Sequence, residues 1–217
     1  MSEAVSIEAD GAHEARRALE ATIAAGGVAV FPADGLYGLA CDPLRSDAIA
    51  RIHRIKGRDD GKPSAVLFFS PLILRELMGS LDELSREALA ALLPGPVTVV
   101  VDNPEGRYPL ACGGSPQRLG IRLIESPLGG VATPLFQTSA NVSGEPAPAR
   151  LDEVPEPVLA AVDLTIDGGR LEGIPSTVVD VTGIRRDGSW TVHREGGMPV
   201  SEVDARLRPL RPARPPG

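Results

Sequence analysis

Only two lysines occur in this chain, Lys56 and Lys62, and they sit six positions apart. Lysine and arginine together number 22, so arginine supplies the other 20 side-chain cations. An ammonium is a compact point charge, whereas a guanidinium is a flat fork of five donors. Two point charges kept in one tract, Arg51-Ile-His-Arg-Ile-Lys56-Gly-Arg58-Asp-Asp-Gly-Lys62-Pro63, suit the oxygens of a phosphate. The plainer reading is a chain biased toward arginine, with two lysines left by chance. Read as loop residues, Lys56 and Arg58 would be exposed, and their removal would hardly touch stability.

Three other tracts have polar or glycine-rich spacing. Phe31-Pro-Ala-Asp34-Gly35-Leu-Tyr37-Gly-Leu39 places two glycines around a tyrosine directly after a strand. Gln137-Thr-Ser139-Ala-Asn141-Val-Ser143-Gly144 alternates hydroxyls and an amide with small residues, either as a helix-capping loop or as a donor-rich wall for an anion. Gly173-Ile-Pro-Ser176-Thr177 precedes a strand. For each, a simple turn is the cheaper explanation. The Gly57–Pro63 tract is not a phosphate-binding P-loop. It has three residues between its glycines where four are needed, and Pro63 stands where the magnesium-holding hydroxyl belongs. No Gly-x-Gly-x-x-Gly follows a strand, so a dinucleotide fold is unsupported.

These tracts need a scaffold. Apolar periodicity predicts a helix capped by Asp10 through Ala15, Leu19 and Ile23, and another capped by Ser46 with Ile49, Ile52 and Ile55 inward. Ser70-Pro71 opens a third helix and Leu84–Leu93 forms a fourth. Strands are expected at 28–31, 64–69, 97–101, 120–123, 163–167 and 177–181, with Asp187-Gly188 as a hairpin turn into 190–194. Helices and strands mix without strict alternation, which predicts α/β or α+β with a mixed sheet. Length predicts one domain, residues 1–200, followed by a fraying tail at 201–217.

Composition narrows the function classes. A net charge of −7 and 3% aromatic residues argue against a nucleic-acid coat or base-stacking platform. Two cysteines without a Cys-x-x-Cys pair and three scattered histidines offer no transition-metal site and point to reducing cytosol. No stretch is long and apolar enough to span a membrane, and Met1–Asp10 lacks a leader's apolar run.

Taken in order, the tracts carry a resemblance. Phe31-Pro-x-Asp34-x-x-Tyr37-Gly-Leu39, Lys56-x-Arg58, Pro94-Gly-Pro-x-Thr98, Gly120-x-Arg122, Ser139-Ala-Asn141-x-Ser143-Gly144 and Ser176-Thr-Val-Val-Asp180 run from about Gly26 to Gly196. This series resembles the YrdC-like domain of threonylcarbamoyl-AMP synthases, in the short, single-domain form. The resemblance implies a twisted mixed sheet with flanking helices around a large concave, positively lined cavity. It implies a nucleotidyltransferase that joins L-threonine, bicarbonate and ATP, with Mg²⁺, into threonylcarbamoyl-AMP and pyrophosphate. The product would pass to a separate tRNA threonylcarbamoyl transferase for modification of adenosine 37, with at most weak tRNA binding by this chain.

By the same resemblance, Lys56 and Arg58 are catalytic, and Lys56, Arg58, Lys62, Ser139, Asn141 and Arg194 bind ATP. Asp34, Gly35, Tyr37, Arg122 and Ser176 would hold threonine and bicarbonate, with Arg122 forked onto the carboxylate. The family usually carries threonines where this chain has Ala33 and Gly35. Loss of the second hydroxyl predicts weaker threonine binding and a looser loop. Two alternatives stand beside this reading: a same-fold enzyme making a carbamoyl-adenylate from another substrate, and a non-catalytic RNA-binding relative. The Arg-Asp-x-x-Lys-Pro run is also similar to the YrdC-like domain of hydrogenase-maturation carbamoyltransferases.

Overall fold

The computed structural model describes residues 3–58 and 61–210. Its strands are β1 (Glu3–Ser6), β2 (Ala29–Ala33), β3 (Leu36–Cys41), β4 (Ala65–Phe68), β5 (Val97–Asp102), β6 (Arg118–Leu123), β7 (Leu135–Ser139), β8 (Leu164–Asp167), β9 (Thr177–Asp180) and β10 (Thr191–Arg194). The α-helices are α1 (Ala12–Ala24), α2 (Ser46–Lys56), α3 (Pro71–Met78), α4 (Glu83–Leu92), the single turns α5 (Glu156–Leu159) and α6 (Ile184–Asp187), and α7 (Val200–Leu207). These strands form one mixed sheet in the order β1-β8-β2-β3-β7-β4-β6-β5-β9-β10.

Strand side chains alternate between faces, and here the two faces do different work. Val66 and Phe68 of β4, Val97 and Val99 of β5, Leu119 and Ile121 of β6 and Val179 of β9 enter one apolar core. Ile49 and Ile52 of α2, Leu74 of α3, Leu89 of α4 and Val203 of α7 cover that face. On the opposite face, Phe31, Leu67, Leu135 and Ile166 pack under Ala15, Leu19 and Ile23 of α1. Helix α1 covers only part of that side. Where it is absent, Thr98, Gly120, Arg122, Gln137 and Ser176 line a cavity.

The structure corrects several expectations. Gly11, not Asp10, precedes α1, and it makes no side-chain cap. The Asp10 carboxylate accepts from Ser6 N at 2.8 Å and closes the turn after β1 instead. Arg45 occupies the cap position of α2, so Ser46 is already helical. Ser70 does cap α3, accepting from Leu72 N at 3.3 Å. β9 and β10 are antiparallel, but α6 lies between them, and Gly188 ends that turn at φ 71°. Three strands escaped the sequence reading: β1, β3 and β7. The fold also does not stop at residue 200. Val203 and Leu207 are fully buried, and Trp190 Nε1 donates to Asp204 at 2.8 Å. The expected fraying at 211–217 lies outside the described residues.

Candidate active site

The cavity holds about 680 Å³. Among the described residues, Lys56, Arg58, Lys62, Arg118, Arg122 and Arg194 line it, against one carboxylate, Asp180. A chain of net charge −7 therefore gathers six cations around one hollow. Such a cavity concentrates anions.

Lys56 is not an exposed loop charge. It ends α2 on the buried stripe with Ile49, Ile52 and His53, and it is 3% exposed. Its ammonium donates to Ser139 O (2.5 Å), Asn141 O (2.8 Å) and Asn141 Oδ1 (3.1 Å), so all three hydrogens have protein acceptors. Burial, and then Arg58, push its pKa down to about 8. Asn141 is equally committed. Its Oδ1 also accepts from Ser139 Oγ at 2.5 Å, and Nδ2 donates to Val142 O and Glu145 O. Lys56 thus clamps the 139–141 wall into one shape.

Gly57 ends α2 in the left-handed region, φ 57°, and turns the chain into the lysine loop. Arg58 folds back across that loop, donating to Lys62 O (2.8 Å), Pro63 O (2.5 Å) and Thr138 Oγ1 (3.0 Å). The loop's far side rests on Gly113, where a Cβ would come within 2.5 Å of Gly61 O. Gly114 N donates to Gly61 O at 2.9 Å. The Lys62 ammonium, unlike its carbonyl, makes no hydrogen bond or ion pair with another described residue. Asp59 and Asp60 lie outside the described residues.

Arg122, on β6, lines the cavity and is almost fully buried. Its guanidinium donates to Gln137 Oε1 at 2.9 Å and pairs with Asp34 at 3.3 Å. Burial lowers its pKa to about 10, which Asp34 opposes and Arg194 reinforces. Asp34, in a left-handed turn at φ 75°, has its own carboxyl raised by burial, against the pull of Arg122 and with Glu172 adding to the rise. Nε of Arg58 and Nε of Arg122 are buried donors without a partner among the described residues.

On the facing wall, Ser176 Oγ lies 2.9 Å from Thr98 Oγ1, and Arg194 donates to Ser176 O at 2.8 Å. Of the expected site residues, Gly35, Tyr37, Lys56, Arg58, Lys62, Arg122, Ser139, Asn141, Ser176 and Arg194 all line the cavity. Asp34 does not line it, and reaches it only through Arg122. Tyr37 is a peg: its hydroxyl donates to Gly169 O at 2.8 Å and accepts from Gly168 N at 3.0 Å. Burial pushes its pKa up to about 12.

Gly35 does not loosen its loop. A Cβ there would fall inside the Ile174 carbonyl oxygen, and Gly35 O accepts from Gly173 N at 2.9 Å. Residues 174–176 line the cavity at this point, and only glycine at 35 lets them approach. Sequence reasoning missed Arg118, Asp180 and His193, all of which line the cavity. The alternation Arg118-x-Gly120-x-Arg122 and Ser176-x-Val178-x-Asp180 was the available signal, since one strand face carries every second residue.

This fold is shared with known proteins. The Sua5/YciO/YrdC family model, described as "Telomere recombination", matches residues 21–196. This chain belongs to the Sua5/YciO/YrdC family. A threonylcarbamoyl-AMP synthase of Mus musculus is 34% identical over 83% of this chain and 67% of its own length. A putative threonylcarbamoyl-AMP synthase of Methanocaldococcus jannaschii is 28% identical over 85% of this chain and 87% of its length. Among solved structures, Pyrococcus abyssi Sua5 complexed with L-threonine superposes with a TM-score of 0.81 at 27% identity. That match covers 97% of this chain and 62% of the other. The family's mixed α/β fold is therefore the one expected from the sequence.

Proposed function

We propose that this chain is an L-threonylcarbamoyladenylate synthase. The observation that carries the reading is the cavity, lined among the described residues by six cationic side chains and one carboxylate, in a family whose relatives bear that name. The threonine amine takes up carbon dioxide from bicarbonate as a carbamate. A carbamate oxygen then attacks the α-phosphorus of ATP, and pyrophosphate leaves. No enzyme nucleophile is needed, so catalysis consists of positioning and charge stabilisation.

The uncommitted donors divide the work. Lys62 and the Arg58 guanidinium meet phosphate oxygens, while Ser139 and Asn141, clamped by Lys56, shape the wall behind them. Arg122 receives the amino-acid carboxylate beside Ser176, and Arg194 faces the nucleotide. Magnesium enters with ATP as its phosphate counter-ion. Among the described residues no three His, Cys, Asp or Glu side chains gather to hold a metal, and Asp180, the carboxylate lining the cavity, is already bonded to Thr182 and Arg118. The adenylate is handed to a separate transferase that acts on tRNA. No helix of the described residues is long and apolar enough to cross a membrane.

A second reading has one specific support. The Ile174 carbonyl fills the space beside Gly35, so the hydroxyl that the family resemblance leads one to expect there has no room. The same chemistry on another amine substrate follows if that hydroxyl sets threonine selectivity. One experiment separates the two: purified protein with MgATP, bicarbonate and each amino acid in turn, reading pyrophosphate and adenylate product. Product with threonine above all others supports the first reading. Product with a different amine supports the second, and none with any amine overturns both.

A further inference from the structure

Strand β10 is irregular. Val192 pairs with Val179 and Arg194 with Val178, which leaves His193 as an extra residue. Regular strands send neighbouring side chains to opposite faces, and a bulge re-aims one of them. Here His193 and Arg194 both line the cavity.

His193 meets a buried carboxylate. Its Nε2 lies 3.4 Å from Asp180 Oδ2, which also accepts from Arg118 Nη1 at 2.9 Å. Asp180 Oδ1 accepts from Thr182 N and Oγ1 at 2.9 and 2.7 Å. Burial raises the Asp180 carboxyl, but the bonds from Thr182, His193 and Arg118 outweigh it and hold the group below the ordinary carboxylate value. An ionised carboxylate only accepts, so Nε2 carries the hydrogen. In the neutral ring Nδ1 is then an acceptor with fixed identity.

The floor beside this cluster is Val100 and Val178. Phosphate is assigned to Lys62 and Arg58, and the amino-acid carboxylate to Arg122. The remaining part of the cavity has an apolar floor and a rim holding one fixed acceptor. That polarity suits a flat heteroaromatic ring edged by an amino group.

We propose that His193, held in one tautomer by Asp180, selects a 6-amino purine over a 6-oxo purine. The exocyclic amine of adenine donates to Nδ1. An oxo group in its place sets lone pair against lone pair. Arg118 is a positioning residue that keeps Asp180 in place. This inference rests on the ATP reading above.

The test is an equilibrium titration of the full-length protein with ATP and with ITP, for the natural chain, His193→Leu and His193→Arg. The natural chain should bind ATP about tenfold more tightly than ITP, the scale of one hydrogen bond at a half-exposed site. His193→Leu should erase that ratio by weakening ATP. His193→Arg, a donor only, should tilt it toward ITP, and this reversal is not produced by general loosening of the strand. An ATP-to-ITP ratio that stays the same in folded His193→Leu, or in His193→Arg should the first variant fail to fold, overturns the assignment alone. A natural chain that binds neither nucleotide overturns the assignment and the ATP reading together.

Discussion

Replacing Lys56 by methionine should injure the fold as well as the chemistry. The ammonium makes three charge-assisted hydrogen bonds to the 139–141 wall, worth about 1.5–3 kcal/mol each. Against this, removing the charge relieves its burial. A pKa lowered from 10.5 to about 8 corresponds to about 3 kcal/mol of that penalty. The balance is a loss of roughly 1.5–6 kcal/mol, or about 0.5–3 M in the urea midpoint for a chain of this size. Turnover should fall about a hundredfold or more, the scale of an ångström's misplacement at a reacting centre. Lys56→Arg should not rescue it, because a planar fork cannot meet three acceptors arranged around a point charge. The pH dependence has a definite sign. Between pH 8 and 10.5 the unfolded chain holds this proton and the folded chain does not, so this group's contribution to stability rises with pH through that window and is a fixed penalty below it. Lys56→Met should lack that rise. Urea unfolding of both proteins at pH 7 and pH 10 measures the difference. An unchanged midpoint at pH 7, with ATP affinity alone lost, would refute the clamp and return Lys56 to the phosphate.

Gly35→Thr should abolish turnover, not tighten threonine binding, because its Cβ displaces the Ile174 carbonyl; activity equal to the natural chain's would show that this carbonyl yields. Arg58→Ala should free the lysine loop from Pro63 and Thr138, raising the KM for ATP together with a drop in kcat of roughly 10²–10³, and proteolysis within 57–63 should quicken. ATP and labelled tRNA should compete, since Arg58 and Lys62 would serve both. Arg51 contributes nothing to such a patch, being bound to Asp163 and to Ala161 O, so Arg51→Ala should leave weak RNA binding intact. Binding that persists at saturating ATP and physiological salt would favour the RNA-binding alternative.

The sequence is most legible where burial is two-sided and apolar. Residues 28–31 are read as a strand because both faces are filled, Val28 and Val30 entering one core and Ala29 and Phe31 the other, and Val97–Val101 is read from its β-branched run. β7 was missed for the opposite reason. Its Gln137 and Ser139 face the cavity, so the apolar pattern is halved and the segment reads as a polar loop. β3 was hidden by Gly38, whose absent side chain makes room for Gln137 and for Thr138 O. Composition points correctly to the lysine tract and misjudges its state. Lys56 lies seven residues after Ile49, on the stripe that α2 buries, and helical spacing was the sign that it is internal. Asp180 and His193 could not be paired from sequence, because a bulge has no residue signature of its own. Gly35 was read as a lost hydroxyl because the Ile174 carbonyl that requires it lies about 140 positions away along the chain.

The division of the sheet into a packed face and a ligand face sets how such a chain can change over time. Along β6, Leu119 and Ile121 belong to the core while Arg118, Gly120 and Arg122 belong to the cavity. The boundary between what keeps the protein folded and what it recognises is one residue wide and recurs every second position. Descendants can exchange cavity residues, and with them substrates, while the reverse of the same strand stays fixed. Tolerance to substitution along β5, β6 and β9 should therefore alternate like the teeth of a comb, in one phase under selection for abundance and in the opposite phase under selection for product. A single-residue insertion in any of these strands would swap the two sets at once, so lineages can diverge in chemistry by substitution far more readily than by changes in strand length.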